Sequence, residues 1–147
     1  MRGKLAFLAV IIVSFFISIN NIQALSKTKI TGKYYYSKAA YELELINKER
    51  RKYGLDDLIM DEDLFNSANI RAAEIVLYMN KTHYRPNGKA YNTISSKVKG
   101  ENTGYIYGYN DVEYYITKSW MNSESHRKNI LDKNFKTIGI GCFKYND

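Results

Sequence analysis

Apolar residues recur at the spacing of an α-helix in the first half of the chain. Over residues 39–52 they fall on one face, and Tyr53 and Gly54 end the pattern. A longer and more apolar helix is predicted to begin after Asp61, whose carboxylate can cap its first turn, and to stop at Asn80 and Lys81. Apolar rows on several sides of this second helix indicate that it lies between other elements.

The second half of the chain contains two stretches in which β-forming residues are mixed with glycine. We expect a strand over residues 98–107, bent at its glycines, and a last strand over residues 134–145. In the last strand, Gly139 and Gly141 leave one face nearly bare. A helix should therefore be able to approach that face closely.

Another helix, capped by Asp111, leads into residues 120–131, WMNSESHRKNIL. Ser123 is expected to cap a short helix that reaches Leu131, and His126 then occupies the third helical position. The partial positive charge of a helix N-terminus favours the neutral imidazole of His126, the form that binds a metal or accepts a proton. A lone histidine in a turn more often only packs or forms a hydrogen bond, so its role depends on its neighbours.

Residues 1–24 have the pattern of a secretion signal. Two basic residues precede an apolar run, and Ile22-Gln23-Ala24 follows it as a plausible cleavage site. The run is shorter than the roughly 18 to 20 residues needed to cross a bilayer, which favours cleavage over an uncleaved membrane anchor. We therefore expect a secreted, extracellular chain that starts near Leu25 and has no membrane span.

The remaining sequence is expected to hold one domain over residues 39–147, preceded by a basic and irregular lead-in over residues 25–38. The net charge is +7, but the basic residues are scattered among acids and form no stripe with aromatic residues, so nucleic-acid binding is not supported. Cys142 is the single cysteine, and no intramolecular disulfide can form. Stability must come from packing.

Several short motifs occur in a specific order along this domain. They are LINKERRKYGL at residues 45–55, MDEDL at 60–64 with RAAE at 71–74, THYRPNG at 82–88, GEN at 100–102, WMNSESHRKNIL at 120–131 and IGIG at 138–141. With these motifs the chain resembles the CAP superfamily of cysteine-rich secretory proteins, antigen 5 and plant pathogenesis-related proteins. The resemblance is to the disulfide-free, secreted bacterial branch with SCP-like domains.

This resemblance implies an α+β fold, a three-layer α-β-α sandwich with a small antiparallel sheet. Related chains continue past the IGIG segment into one more strand, whereas this sequence stops at Asp147. The last sheet strand is therefore expected to be missing, and the strand before it is expected to lie at an exposed sheet edge.

The resemblance also implies a cleft in which His83, Glu101 and His126 converge. Eukaryotic relatives carry a second glutamate at the position of Ser123, so this chain retains three of four groups. Two imidazoles and one carboxylate suit zinc or another divalent cation. The same three groups can instead form a hydrogen-bonded network that fixes the cleft loops, and both interpretations stay open.

Other polar residues are expected to support this arrangement. Asn102 and Asn129 should anchor the cleft walls by side-chain to backbone bonds, with Trp120 beside them. Asn47 and Arg50, in the first predicted helix, should fix the neighbouring loops.

We therefore expect a secreted domain whose cleft binds a divalent cation, or a small or peptidic ligand, at the cell surface. Binding is favoured over catalysis because no dedicated general base or oxyanion device is evident. A metal- or carboxylate-assisted hydrolase of peptide or cell-wall material stays an alternative, although HExxH, GxSxG and phosphate-loop patterns are absent from the sequence. An interaction module with a vestigial cleft is the other alternative.

Overall fold

The computed structural model describes residues 6–7, 32–78 and 82–145. The helices in these residues are α1 (Tyr36–Lys52), α2 (Glu62–Tyr78), α3 (Val112–Asn122) and α4 (Glu124–Ile130), with a 3-10 turn at Tyr91–Ile94. The strands are β1 (Ala6–Phe7), β2 (Gly32–Tyr34), β3 (Ile59–Met60), β4 (Thr137–Ile138) and β5 (Phe143–Tyr145). No helix in the described residues is long and apolar enough to cross a membrane. Most of the predicted signal segment lies outside the described residues.

Residues 137–145 separate two layers of helices. α2 covers one face, where a side chain at Gly139 or Gly141 would collide with the α2 backbone. On the opposite face, Ile140 belongs to a buried cluster with Ile46 of α1 and Ile130 of α4. The predicted α+β fold with three α-β-α layers is confirmed, as is the close approach of a helix to the bare glycine face.

The strands form two small sheets. β5 pairs antiparallel with β2 on one side and with β1 on the other, while β3 and β4 form a parallel pair. The register places Tyr34 opposite Phe143 and Ala6 opposite Tyr145. The expectation that the strand containing the IGIG segment lies at an exposed sheet edge is corrected only at its C-terminal end, where residues 6–7 of the predicted leader pair with β5 in the full chain.

Both predicted aspartate caps are present. The backbone N–H of Leu64 donates to Asp61 Oδ1 at 3.0 Å, and that of Tyr114 donates to Asp111 Oδ1 at 3.2 Å. The predicted end of α2, at residues 80–81, lies outside the described residues. Capping is a local interaction, which is why the sequence alone could indicate it.

The lead-in is partly ordered, which corrects the prediction of an irregular segment up to residue 38. Residues 32–34 form β2, and α1 begins at Tyr36. The Tyr34 ring packs edge-on against Phe143, with ring centroids 5.0 Å apart, and Lys38 Nζ lies 2.9 Å from Glu113 Oε1. These contacts to distant residues attach the segment to the domain.

Two predicted strands are not formed as expected. Residues 98–107 contain no strand, and the predicted strand 134–145 is divided into β4 and β5. A strand requires a neighbour that completes its hydrogen-bond ladder. Within the described residues, the intervening segment 139–141 has no such neighbour on one of its edges, and residues 98–107 have none on either edge.

Arg50 is the centre of the contacts that fix the loops around α1. Arg50 is 1% exposed, and its guanidinium donates to the carbonyls of Asp56, Ile130 and Asp132 at 2.8, 2.7 and 3.0 Å. Asn47 lies nearly one turn earlier in α1. Its side chain donates to the carbonyl of Leu58 and accepts from the N–H of the same residue, in the loop after α1. The loop-fixing role expected of Asn47 and Arg50 is confirmed.

Candidate functional site

The predicted site residues lie on three segments. His83 is in the turn that follows α2, and Glu101 is in the irregular segment before α3. Ser123 is the N-cap of α4, and His126 is at the third position of that helix, as expected. The site is thus built from a turn, an irregular segment and the start of α4 rather than within the small sheets.

The structure brings His83 and Glu101 together. His83 Nδ1 lies 2.8 Å from Glu101 Oε2. The same carboxylate accepts from Arg71, with Nε 2.6 Å from Oε1 and Nη2 3.2 Å from Oε2. The Glu101 side chain is 11% exposed, whereas that of His83 is 49% exposed. The fixed carboxylate therefore presents the imidazole to solvent in a defined orientation.

Arg71 extends this contact into a chain of ion pairs. Its Nη1 donates to Glu74 Oε2 at 2.7 Å, and Arg85 Nη2 lies 2.7 Å from Glu74 Oε1. Burial opposes the charged form of Arg71, but the hydrogen bonds to Glu101 and Glu74 outweigh burial and raise its pKa. The guanidinium therefore stays charged beneath the site.

The sequence reasoning did not include Arg71, Glu74 and Arg85 among the site residues. The available signal was the RAAE motif, which places Arg71 and Glu74 one turn apart on the same face of α2. Arg85 belongs to the THYRP motif of the same turn as His83. These three residues form a network of ion pairs that holds Glu101 in place at the predicted site.

α4 is tied to the segment that carries Glu101. Asn102 Nδ2 donates to the backbone carbonyl of His126 at 3.0 Å. Asn129 Nδ2 lies 3.2 Å from the carbonyl of Glu101 and 2.9 Å from Asn102 Oδ1, so it can donate to both. The expected side-chain to backbone bonds of both asparagines are present, and they fix the backbone of His126 beside Glu101.

Trp120 and Ser123 occupy the corner between α3 and α4. Trp120 Nε1 donates to the Thr103 carbonyl at 3.2 Å, which adds a further link to the same segment. Ser123 is the N-cap residue by position, but its hydroxyl makes no capping bond and lies 3.4 Å from Ser125 Oγ. The expected side-chain cap at Ser123 is corrected, because its hydroxyl contacts a neighbouring hydroxyl instead of the free N–H groups of α4.

The fit of a metal ion depends on the role given to Glu101. Both of its oxygens already accept from Arg71, whose positive charge opposes a cation at the same carboxylate. Within the described residues, no group of three His, Cys, Asp or Glu side chains could hold a metal ion. Glu101 is better suited to orient His83, because an Nδ1–H donated to a carboxylate leaves the Nε2 lone pair for a ligand.

Comparisons with known proteins agree with this architecture. A sequence profile of the cysteine-rich secretory protein family, CAP, matches residues 43–147. The uncharacterized protein YkwD of Bacillus subtilis strain 168 is 38% identical over 127 residues, which cover 78% of this chain and 47% of YkwD. The chain thus spans about half the length of that curated relative.

A solved structure has the same fold. An outer surface protein from Borrelia burgdorferi matches with a TM-score of 0.58 and 18% sequence identity, over 80% of this chain and 98% of that protein. At this level of identity the similarity shows the fold alone.

Proposed function

The chain belongs to the cysteine-rich secretory protein family, CAP, and from that premise we propose that it is an extracellular binding domain whose cleft recognises a small or peptidic ligand at the cell surface. In this proposal the cleft is formed by the turn with His83, the segment with Glu101 and Asn102, and the start of α4 with His126. The family membership expected from the sequence motifs is confirmed.

The contact of His83 with a fixed carboxylate is the observation that supports binding. Arg71 is 5% exposed on α2 and holds both oxygens of Glu101. Glu101 in turn contacts a half-exposed imidazole. Groups that are already oriented lose little conformational freedom when a ligand arrives, so they favour recognition of a polar ligand group.

Two features support an extracellular location. The first 24 residues have the charge and hydropathy pattern of a secretion signal. The structural neighbour from Borrelia burgdorferi is named as an outer surface protein. A cell-surface ligand is therefore the class that we propose for this cleft.

The proposal can be tested by NMR titration with soluble peptidoglycan-derived muropeptides and their free stem peptides. We expect the ring signals of His83 and His126 to shift, and affinity to fall at least tenfold in His83→Ala. Tyr53→Ala removes another exposed ring, at the end of α1, and should leave affinity unchanged. Absence of any shift would contradict the proposal, and hydrolysis of a probe detected by mass spectrometry would favour the hydrolase alternative.

A divalent cation such as zinc is a second candidate ligand of the same cleft. The supporting observation is the contact between His83 Nδ1 and Glu101, which is the arrangement that orients histidine ligands of metals. In this alternative, His83 and His126 would supply the imidazole ligands. Glu101 would orient the His83 ring through Nδ1 without binding the ion itself.

A further inference from the structure

The turn that carries His83 contains an asparagine followed by a glycine, Asn87 and Gly88. Both residues are exposed, and Gly88 has a φ of +77°, which a residue with a side chain rarely adopts. A methyl group added at Gly88 would meet no atom within 4 Å, so the glycine is needed for its backbone conformation and not for space. The turn therefore keeps an unshielded backbone nitrogen directly after an exposed amide side chain.

An asparagine in this setting can react with the next residue of its own chain. The Gly88 nitrogen loses its proton to water or hydroxide and attacks Asn87 Cγ. A five-membered succinimide forms, and the side-chain nitrogen takes up a proton from water and leaves as ammonia. Water then adds to one of the two ring carbonyls and breaks its C–N bond. One product is aspartate, and the other is isoaspartate, in which the main chain runs through Cβ and Cγ.

Two hydrogen bonds of the turn act on this reaction in opposite directions. The Lys89 N–H donates to Asn87 Oδ1 at 3.0 Å. Negative charge develops on that oxygen when Cγ becomes tetrahedral, so this bond stabilises the intermediate. The Gly88 N–H donates to the Arg85 carbonyl at 2.9 Å and must leave that acceptor before the nitrogen attacks. A single exposed hydrogen bond of this kind slows the reaction by about tenfold at most.

Other asparagines are less suited to the same reaction. Asn87 is the one asparagine in the sequence that precedes a glycine. Asn102 and Asn129 donate through Nδ2 to backbone carbonyls, and a branched side chain follows each of them. Asn110 is exposed, but the nitrogen that follows it belongs to Asp111, whose side chain shields it. Asn110 therefore provides an exposed reference within the same chain.

The isoaspartate product does not fit the turn as it stands. The Tyr91 N–H donates to the His83 carbonyl at 2.8 Å, and the Arg85 N–H donates to the Lys89 carbonyl at 2.7 Å. Both bonds join the two arms of the turn, and residue 87 lies between these arms. One additional main-chain atom at residue 87 lengthens the connection, so the two bonds cannot both keep their geometry.

We propose that Asn87 is a site of spontaneous deamidation, and that its conversion to isoaspartate displaces His83 and so alters the His83 side of the cleft as the protein ages. The reaction needs no enzyme or partner, because its reactants are the chain and water. The new carboxylate also lowers the net charge of the turn by one. The proposal concerns the turn itself and does not depend on which ligand the cleft binds.

The test incubates the full chain in mildly alkaline buffer and follows its proteolytic peptides by mass spectrometry. We expect Asn87 to convert at least fivefold faster than Asn110. Conversion should accelerate with pH, because the attacking nitrogen must lose its proton. Isoaspartate is identified by labelling with an isoaspartyl methyltransferase. In NMR spectra of the intact protein, the His83 ring should develop a second set of signals whose fraction follows the isoaspartate content.

Two variants separate the effect of the additional main-chain atom from that of the new charge. Asn87→Gln requires a slower, six-membered ring closure and should show no conversion at this position over the same time. Freshly purified Asn87→Asp carries the new charge without the additional main-chain atom, and its His83 signals should stay near those of the parent.

Conversion of Asn87 no faster than that of Asn110 would overturn the proposal. His83 signals that stay unchanged in the isoaspartate fraction would also overturn it, as would signals that move equally in Asn87→Asp, because charge alone would then explain them. The comparison with Asn110 uses the parent protein, so it remains decisive if a variant fails to fold. None of these measurements involves a ligand, so a failure here is distinguishable from a failure of the proposed function.

Discussion

Replacement of Glu42 by glutamine should stabilise the protein at alkaline pH. Glu42 is almost fully buried, and burial raises its pKa to about 8 from an ordinary 4.5. The negative charges of Glu113 and Asp111 act in the same direction, while the hydrogen bond from Thr117 opposes them. Glutamine keeps the shape of the side chain and removes the charge, so it should remove this titration.

The sign of the effect follows from the direction of the pKa shift. The protonated carboxyl is the form that the folded state accommodates, so its contribution to stability is fully present below pH 4.5, where the group is protonated in both states. The contribution falls as the pH rises above 4.5, and it is completely lost once the pH has passed the folded-state pKa of about 8. At about 1.4 kcal/mol per pKa unit, the complete loss amounts to about 5 kcal/mol.

Urea unfolding between pH 5 and pH 9 can measure this loss. The free energies of unfolding of the parent and Glu42→Gln should be similar at pH 5, and the variant's advantage should grow by about 4 kcal/mol by pH 9. Glu44→Gln removes the same charge from an exposed site and should follow the parent's pH dependence. A difference between parent and Glu42→Gln that stays constant with pH would refute the reasoning.

Three further predictions concern packing, metal binding and secretion. Gly141→Ala should lower the free energy of unfolding by about 3 kcal/mol, because its methyl group would collide with the α2 backbone; a loss below about 1 kcal/mol in urea would contradict this. If zinc is the ligand of this cleft, calorimetric titration should show binding that weakens at acidic pH, weakens in Glu101→Gln and disappears in His83→Ala or His126→Ala; unchanged binding in the double histidine variant would place the metal elsewhere. Mass spectrometry of the culture medium should find an N-terminus near Leu25, and recovery of only full-length, membrane-bound chain would contradict secretion.

The helices could be predicted from sequence because their determinants are local. Apolar spacing located α1 and α2, and single side chains at Asp61 and Asp111 marked where helices begin. Residues 98–107 have a similar β-forming composition to a strand, yet a strand depends on a neighbour that can come from anywhere in the fold. Composition alone therefore could not show that residues 98–107 lack a pairing strand among the described residues.

The candidate site was predictable only through the order of the motifs. No local pattern links His83 to Glu101, and Arg71 is 30 residues from the carboxylate that it holds. The family resemblance supplied the pairing, whereas the ion pairs beneath it required the structure. Ser123 shows that residue type alone does not determine a contact. It is a favoured N-cap residue at the N-cap position, yet its hydroxyl lies against Ser125 and makes no capping bond.

The buried Arg50 has a consequence for the order of folding. Two of its carbonyl acceptors, in Ile130 and Asp132, are 80 and 82 residues further along the chain. During synthesis, α1 is complete long before these acceptors exist, and its guanidinium must stay hydrated until they arrive. Closing so long a loop costs conformational entropy that is recovered only when the acceptors are in place. The docking of α1 against α4 should therefore be a late step of folding, because Arg50 can be buried only after Ile130 and Asp132 have supplied their carbonyls.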